Sequence, residues 1–430
     1  MTSTKPVGTT DTGQAPTLPV HPWVEPTRVH RNAYLDEKLF NEELRRIFYR
    51  SWIYVGHESE VANAGDYKTT FIGKQPVIVS RDEDGRIHVL MNRCMHRAAT
   101  VCQAASGNSN FFRCEYHAWT YRNNGELVAP TFAGGYDPAD LDPSKYSLAR
   151  APRVDSYRGL IFASLALEGE TLLEHLGRAT EFIDGTFDLA PAGTVRLGAG
   201  VHKYSYQGNW KLQSENGVDG YHPNFVHRAF IETSHFGLKI FGGHSKGRAG
   251  SLGNGHGLLD MRPMMEPMMR EKMATPQGQQ LLAQLTERLG PERAEQVILG
   301  GGTEGYNLVI FPNLSIIGAQ IRVIHPRSVT HSEVELYPFL HDGASDEANA
   351  QRLRMHEAFY GPSGGGGPDD IEMFDRVAVG LAVEGVEWLP FVRGLRREEI
   401  DGEARWGHVT DEQPQRGFYH RWLQMMGTPA

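Results

Sequence analysis

A chain of 430 residues is long enough for two domains, or for one large domain carrying an insertion. Hydrophobic residues at 40% and charged residues at 22% describe an ordinary globular protein. The net charge of −9, with no basic stripe to neutralise phosphates, excludes nucleic acid as a partner. Three cysteines, Cys94, Cys102 and Cys114, are too few and odd in number for a secreted disulfide framework. No apolar run approaches the roughly 18 residues of a membrane helix, and residues 1–19, rich in Thr, Pro and Gly, lack a signal-peptide core. The expectation is a cytoplasmic protein with no membrane contact and a partly disordered N-terminus.

Residues 36–50 have helical periodicity, with Leu39, Leu44, Ile47 and Phe48 as the apolar stripe. From Trp52 to about Leu165 the texture changes to short alternating segments (69–72, 77–80 and 87–90) separated by turn signals such as Asp84-Gly85, which predicts a small antiparallel β domain. Residues 171–186 read as helix and 194–206 as strand. Two glycine-rich stretches, 242–257 and 300–305, flank a Met-rich helical segment and are read as mobile cover over a pocket. Strands follow at 308–324 and 333–339, and helices at 347–360, 370–383 and 413–426. The order gives an α+β protein in three parts: a tail and helix over 1–50 that belong to the second domain, a β domain over 51–165, and a mixed domain over 166–430.

The strongest local signal is Cys94-Met95-His96, then seventeen residues, then Cys114-Glu115-Tyr116-His117. Two thiolates and two imidazoles make a four-ligand metal site, and structural zinc is the bland reading. Zinc fingers, however, pair Cys with Cys and His with His along the chain, whereas each pair here mixes the two. That mixing suits a Rieske [2Fe–2S] cluster, with one iron held by Cys94 and Cys114 and the other by His96 and His117. His96-Arg97 and Tyr116-His117-Ala118-Trp119 look like the two loop tips of a Rieske domain, with Ala98 where such domains commonly carry Gly. Cys102 is left over and reads as a small buried hydrophobe.

The second constellation runs GNWKLQSENGVDGYHPNFVH from Gly208 to His227, with Asp219, His222 and His227 at its core. Two histidines and a carboxylate leave positions open on Fe(II) for O₂ and substrate. The His–His spacing is five residues, not the four of a zinc-protease helix, and Pro223 lies between them. A distorted turn there would bring both imidazoles together. A further carboxylate is offered by Asp369-Asp370, where the alternative role is to cap the penultimate helix.

Taken together these stretches resemble the α subunits of the aromatic-ring-hydroxylating dioxygenases, over roughly residues 30 to 425. The resemblance implies that Cys94, His96, Cys114 and His117 hold the [2Fe–2S] cluster, and that His222, His227 and Asp370 hold the mononuclear Fe(II). It makes Asp219 a bridging carboxylate, not a ligand, which joins an iron histidine to a cluster histidine of the neighbouring subunit, with His117 the matching choice. The expected fold is a Rieske β insertion in a helix-grip catalytic domain, antiparallel sheet plus helices. The expected assembly is a homotrimer, or three α with three β subunits. GNWKLQSENGVDGYH and PDDIEMFDR look closest to the branch acting on benzoate, toluate and anthranilate.

The implied reaction is cis-dihydroxylation of a small aromatic substrate with O₂; monohydroxylation or demethylation would use the same ligands. A pure Rieske electron carrier would not need the second constellation or the large second domain. Residues 300–305 fit GxGxxG, but they follow a helical segment and precede a strand, the reverse of the dinucleotide-binding order. Electrons must therefore come from a separate reductase or ferredoxin. Phe225, Phe230 and Ile317 are the expected pocket residues.

Overall fold

The computed structural model describes residues 23–137, 139–233, 246–300 and 305–427. The expected disorder of the first twenty residues, and residues 242–245 and 301–304 of the two glycine-rich stretches, lie outside them. The chain forms two compact units, one over Leu44–Leu172 and one built from Leu173–Pro429 together with Pro16–Glu43. Among the described residues no helix is long and apolar enough to cross a membrane.

The first unit is all antiparallel β. A four-stranded sheet runs in the order Ile87–Met91, Gln75–Arg81, Asp66–Ile72, Ser106–Asn108. Three-stranded sheets are formed by Leu127–Ala129, Thr120–Arg122 and Phe111–Arg113, and by Arg153–Tyr157, Leu160–Ser164 and Ile53–His57. A core between the first two of these sheets contains Ile78, Leu90, Phe112, Trp119, Tyr121 and Leu148 together with all three cysteines, so Cys102 does sit as a small buried side chain.

The second unit is built on a ten-stranded antiparallel sheet. Its order is Val195–Leu197, His331–His341, Gln320–Ser328, Leu314–Ile317, Tyr306–Ile310, Gly257–Asp260, Arg248–Ser251, Ala404–His408, Glu399–Asp401, with His202–Tyr206 also pairing on His331–His341. The helices Asp346–Tyr360, Gly367–Leu381 and Gln413–Gly427 pack against its strands. The Met-rich segment is three helices, Arg262–Met273, Pro276–Leu289 and Pro291–Leu299.

Several expected single elements are broken, each for a local reason. The helix of 36–50 is Asn32–Leu35 and Glu37–Glu43 followed by a π-helical turn, Leu44–Phe48; Asp36 is extended between the first two and its Oδ1 accepts from Leu39 N at 2.7 Å, capping the second. The helix of 171–186 is interrupted at Gly177, whose φ is +46°, and the strand of 194–206 at Gly200, whose φ is +103°. The described part of the first glycine-rich stretch corrects its reading as mobile cover. Arg248–Ser251 and Gly257–Asp260 are interior strands of the large sheet. A Cβ at Gly250 would stand 2.6 Å from the indole of Trp406 on the adjoining strand, so this glycine serves close packing rather than mobility.

Candidate metal centres and the cavity

In the first unit, two loops repeat one hydrogen-bonding pattern. Ala98 N donates to Cys94 O at 3.1 Å and Cys94 N to Ala99 O at 2.8 Å; Ala118 N donates to Cys114 O at 2.8 Å and Cys114 N to Trp119 O at 2.9 Å. Each loop closes through a left-handed alanine, Ala98 at φ +64° and Ala118 at φ +57°. That explains why glycine is favoured at such a position, and Ala98 adopts the turn at a cost of roughly 1–2 kcal/mol. The pattern sets both cysteines inward and both histidines at the tips. Cys94 and Cys114 are 2% and 1% exposed, while His96 is half-buried and His117 exposed.

The imidazole centroids of His96 and His117 are 4.6 Å apart, and Trp119 stacks on His96 at 5.0 Å. Both cysteines lie in one buried cluster, and burial above all pushes the Cys114 thiol up, with Cys94 adding to it. His96 Nδ1 is buried without a partner. Two buried thiols of one core cluster and two adjacent imidazoles nearer the surface fit a cluster with one thiolate-held and one histidine-held iron. Tyr121 OH completes the inner end, 3.2 Å from Cys94 Sγ and accepting from Met95 N at 3.1 Å.

In the second unit, the helix Lys211–Gly217 is fixed from below. Lys211 Nζ meets Glu43 Oε1 at 2.6 Å, Trp210 donates to Glu43 Oε2 at 2.9 Å, and Glu215 accepts from Tyr34 and Tyr419 at 2.8 and 2.5 Å. The chain then turns on Asp219, whose Oδ1 accepts from Tyr221 N at 2.6 Å and His222 N at 3.3 Å. Gly220 must be glycine, because a Cβ there would enter the carbonyl of Val409. Pro223 starts a one-turn helix, Pro223–Val226, with His222 and His227 at its two ends. The five-residue spacing is therefore one short helix with a histidine on each side of it.

His222 Nε2 and His227 Nε2 stand 3.5 and 3.3 Å from Asp370 Oδ1, and the three groups form a candidate ligand set with all ligand atoms within 4.8 Å. Asp370 comes from the first turn of the helix Gly367–Leu381. Burial pushes its carboxyl up, but the His227 hydrogen bond and the nearby charges outweigh that and hold it below its usual range. The two aspartates that sequence left open are separated by geometry. Asp370 faces the Nε2 atoms of both histidines, whereas Asp369 Oδ2 lies 3.7 Å from His227 Nδ1 with a 42% exposed side chain. Asp219 Oδ2 takes the matching place 3.4 Å from His222 Nδ1. Each imidazole thus has a carboxylate near its Nδ1, at ion-pair distance and without a formed hydrogen bond; closing that gap would fix tautomer and ring plane in a ligating histidine. A half-buried and a buried imidazole and one buried carboxylate, with their ligand atoms close together, fit an iron held on one face.

The triad opens on a cavity of about 250 Å³ lined by Phe230, Leu259, Met261, Ile317, Phe359 and Tyr360. Phe230 and Ile317 are where the sequence reading expected them. Phe225 is not: it is 69% exposed and packs edge-on against Tyr221 at 5.8 Å, because on a one-turn helix it points away from the side that carries the histidines. Sequence reasoning missed Asn216, whose Nδ2 donates to Asp370 Oδ1 at 3.1 Å, as well as Asp369 behind His227. Asn216 lay inside the recognised motif, one turn before Asp219, and that position was its only signal.

Comparison with known proteins agrees with this geometry. Residues 51–134 match the Rieske [2Fe-2S] domain, and residues 196–428 match the catalytic domain of the ring-hydroxylating alpha subunit. The anthranilate 1,2-dioxygenase large subunit of Acinetobacter baylyi is 35% identical over 392 residues, 86% of this chain and 81% of the relative. The 2-halobenzoate 1,2-dioxygenase large subunit of Burkholderia cepacia is 34% identical over 383 residues, 85% and 80% of the two chains. Naphthalene 1,2-dioxygenase with indole bound superposes with a TM-score of 0.84 at 25% identity, covering 96% of this chain and 95% of that one. The chain belongs to the Rieske-type, non-haem iron ring-hydroxylating dioxygenases, as their catalytic α subunit.

Proposed function

We propose that the protein is the terminal oxygenase of a multicomponent system that adds both atoms of O₂ to an aromatic compound, giving a cis-dihydrodiol. The observation that carries this reading is the convergence of His222 Nε2, His227 Nε2 and Asp370 Oδ1 at the end of an apolar cavity. In this reading His222, His227 and Asp370 hold the iron, and Cys94, Cys114, His96 and His117 hold the cluster. Bound there, a mononuclear iron would supply O₂ activation, and a cluster held by Cys94, Cys114, His96 and His117 would supply one-electron redox chemistry. Asp219 and Asp369 place a carboxylate 3.4 and 3.7 Å from the Nδ1 atoms of His222 and His227, where a small shift on metal binding would let them orient the rings. Asn216 donates to Asp370 and fixes the carboxylate's rotamer. The lining side chains exclude water and seat the arene.

The cluster-bearing insertion is assigned to 51–165 and the oxygenase domain to 1–50 and 166–430. A separate reductase or ferredoxin feeds the cluster, and the assembly is a homotrimer or three α with three β subunits; the relatives' designation as large subunits supports a second subunit. In such an assembly Asp219 meets the partner subunit's His117 and couples the two centres. The protein works in the cytoplasm. The substrate is an aromatic carboxylate or a related single-ring compound, as the anthranilate and 2-halobenzoate dioxygenases among the relatives suggest.

Alanine replacement tests the assignment. His222→Ala, His227→Ala and Asp370→Ala each lose the mononuclear iron and all product formation, while the visible spectrum of the cluster stays intact. An active Asp370→Ala beside an inactive Asp369→Ala would assign the wrong carboxylate.

A further inference from the structure

Arg322 lies within the strand Gln320–Ser328, opposite Ser315 on one side and Leu336 on the other. It is 3% exposed, yet it lines the cavity beside the iron-ligand triad. Its Nε is buried without a partner, and among the described residues its guanidinium makes no hydrogen bond and no ion pair. The Tyr360 ring lies 5.3 Å from Cζ and covers one face. The two acids in the lining are engaged elsewhere: Asp219 with His222, and Asp370 with His227 and Asn216.

A buried guanidinium with unused donors is costly to maintain, and a folded protein keeps one where an anion joins it. Its planar fork matches a carboxylate in two parallel hydrogen bonds, a fit that an ammonium lacks. Phe230, Leu259, Met261, Ile317 and Phe359 of the same lining are available to seat a ring, beside the polar Asn307 and Arg352. His356 stands in the same lining, 3% exposed, with neither ring nitrogen hydrogen-bonded. Burial, aided by the charges of His202 and Arg322, holds its pKa down at about 4, so it is a neutral polar group and does not compete for the anion.

We infer that Arg322 is the anchor for the substrate's carboxylate, and that the protein selects aromatic carboxylates over neutral arenes of the same shape. This rests on the reading of the cavity as the oxygenation site. With the carboxylate on Arg322, the ring extends through the apolar lining and its carbons face His222, His227 and Asp370. Arg322 touches substrate but takes no part in the oxygen chemistry; it determines specificity.

The test is anaerobic calorimetric titration of the purified holoprotein with benzoate and 2-aminobenzoate, and with benzamide as a neutral isostere. The unaltered protein binds at least one of the acids about tenfold or more tightly than benzamide, and Arg322→Met weakens acid binding roughly 100-fold while leaving benzamide within about threefold. Arg322→Lys, which keeps charge but loses the fork, falls between the two. Unchanged acid binding in Arg322→Met, or equal binding of benzamide and both acids by the unaltered protein, overturns the inference. The cluster spectrum and thermal midpoint report folding; should Arg322→Met fail to fold, the acid-to-amide ratio and Arg322→Lys decide. Product analysis separates this inference from the oxygenase reading. Conversion of neutral arenes but not acids overturns the anchor alone. Acid binding that depends on Arg322, with no O₂ consumed when a competent reductant is supplied, supports the anchor and overturns the oxygenase reading.

Discussion

Replacing Lys211 by methionine tests what holds the histidine-bearing segment in place. Lys211 Nζ and Glu43 Oε1 are 2.6 Å apart, with side chains 0% and 1% exposed. Glu43 also accepts from Trp210 Nε1 at 2.9 Å and Trp422 Nε1 at 2.7 Å. Methionine fills the aliphatic volume but leaves the Glu43 carboxylate buried without a counter-charge, a loss of about 3–5 kcal/mol. Against the roughly 5–15 kcal/mol that stabilises a domain, that is a large fraction. Glu43→Gln leaves the ammonium unpaired and costs a similar amount. The double variant removes both charges and keeps one amide oxygen for the indoles, so its cost is that of about one unpaired indole N–H, roughly 1–3 kcal/mol. Equilibrium urea unfolding followed by tryptophan fluorescence reads this directly, since Trp210 and Trp422 both bond to Glu43. The expected coupling energy is about 3 kcal/mol or more. Additive single effects, or single variants each within about 1 kcal/mol of the unaltered protein, would refute the idea that the pair fixes the helix Lys211–Gly217.

Other perturbations probe the two centres and their supports. Tyr121→Phe removes the hydroxyl 3.2 Å from Cys94 Sγ and should lower the cluster's reduction potential by roughly 40 mV, the one-electron equivalent of a hydrogen bond of about 1 kcal/mol, measured by redox titration; an unchanged potential contradicts a hydrogen bond to the sulfur. Ala98→Gly relieves a left-handed alanine, and the roughly 1–2 kcal/mol gained is partly offset by a freer unfolded chain. The variant should keep its cluster spectrum and lose no stability, whereas Ala98→Val should lose the cluster. Glu215 is pushed up to about 7, chiefly by burial, so between about pH 4.5 and 7 the unfolded state ionises while the folded state stays protonated. Stability therefore falls as pH rises through that window, by up to about 3 kcal/mol, and Glu215→Gln, which keeps an acceptor for Tyr34 and Tyr419, flattens the profile. An identical pH profile in the variant contradicts this. Asp219→Asn should leave the mononuclear iron bound yet slow single-turnover oxidation of the cluster by O₂ with substrate present; unchanged oxidation would reduce Asp219 to an ordinary turn residue.

What could be read from the sequence was chemistry confined to short spans. The cluster loops were legible because each Cys/His pair lies within four residues, and backbone hydrogen bonds inside each loop set its geometry. The histidine pair was legible as a broken turn around Pro223, although its form as a one-turn helix was not. The choice between Asp369 and Asp370 was invisible to spacing alone. Neighbours on a helix differ by about 100° around its axis, and only the packing of Gly367–Leu381 decides which one faces inward. The same limit hid Phe225, whose outward direction is set by the helix on which it sits. The glycines of 246–257 misled because glycine marks both loops and close strand packing, and Trp406, which makes Gly250 necessary, lies more than a hundred residues away in sequence. Arg322 gave no signal, since an arginine within a strand reads as an outward-facing residue until the sheet's covered faces are known.

The central claim is that both atoms of one O₂ enter an aromatic ring at the point marked by His222, His227 and Asp370. Mass spectrometry of the product formed under ¹⁸O₂, with purified protein, a competent reductase and a panel of aromatic acids, tests it most directly. The account predicts a cis-dihydrodiol, or the catechol it yields, carrying two ¹⁸O atoms, and none from the Asp370→Ala variant. A product with a single ¹⁸O atom, or two-atom incorporation that persists without Asp370, would contradict it.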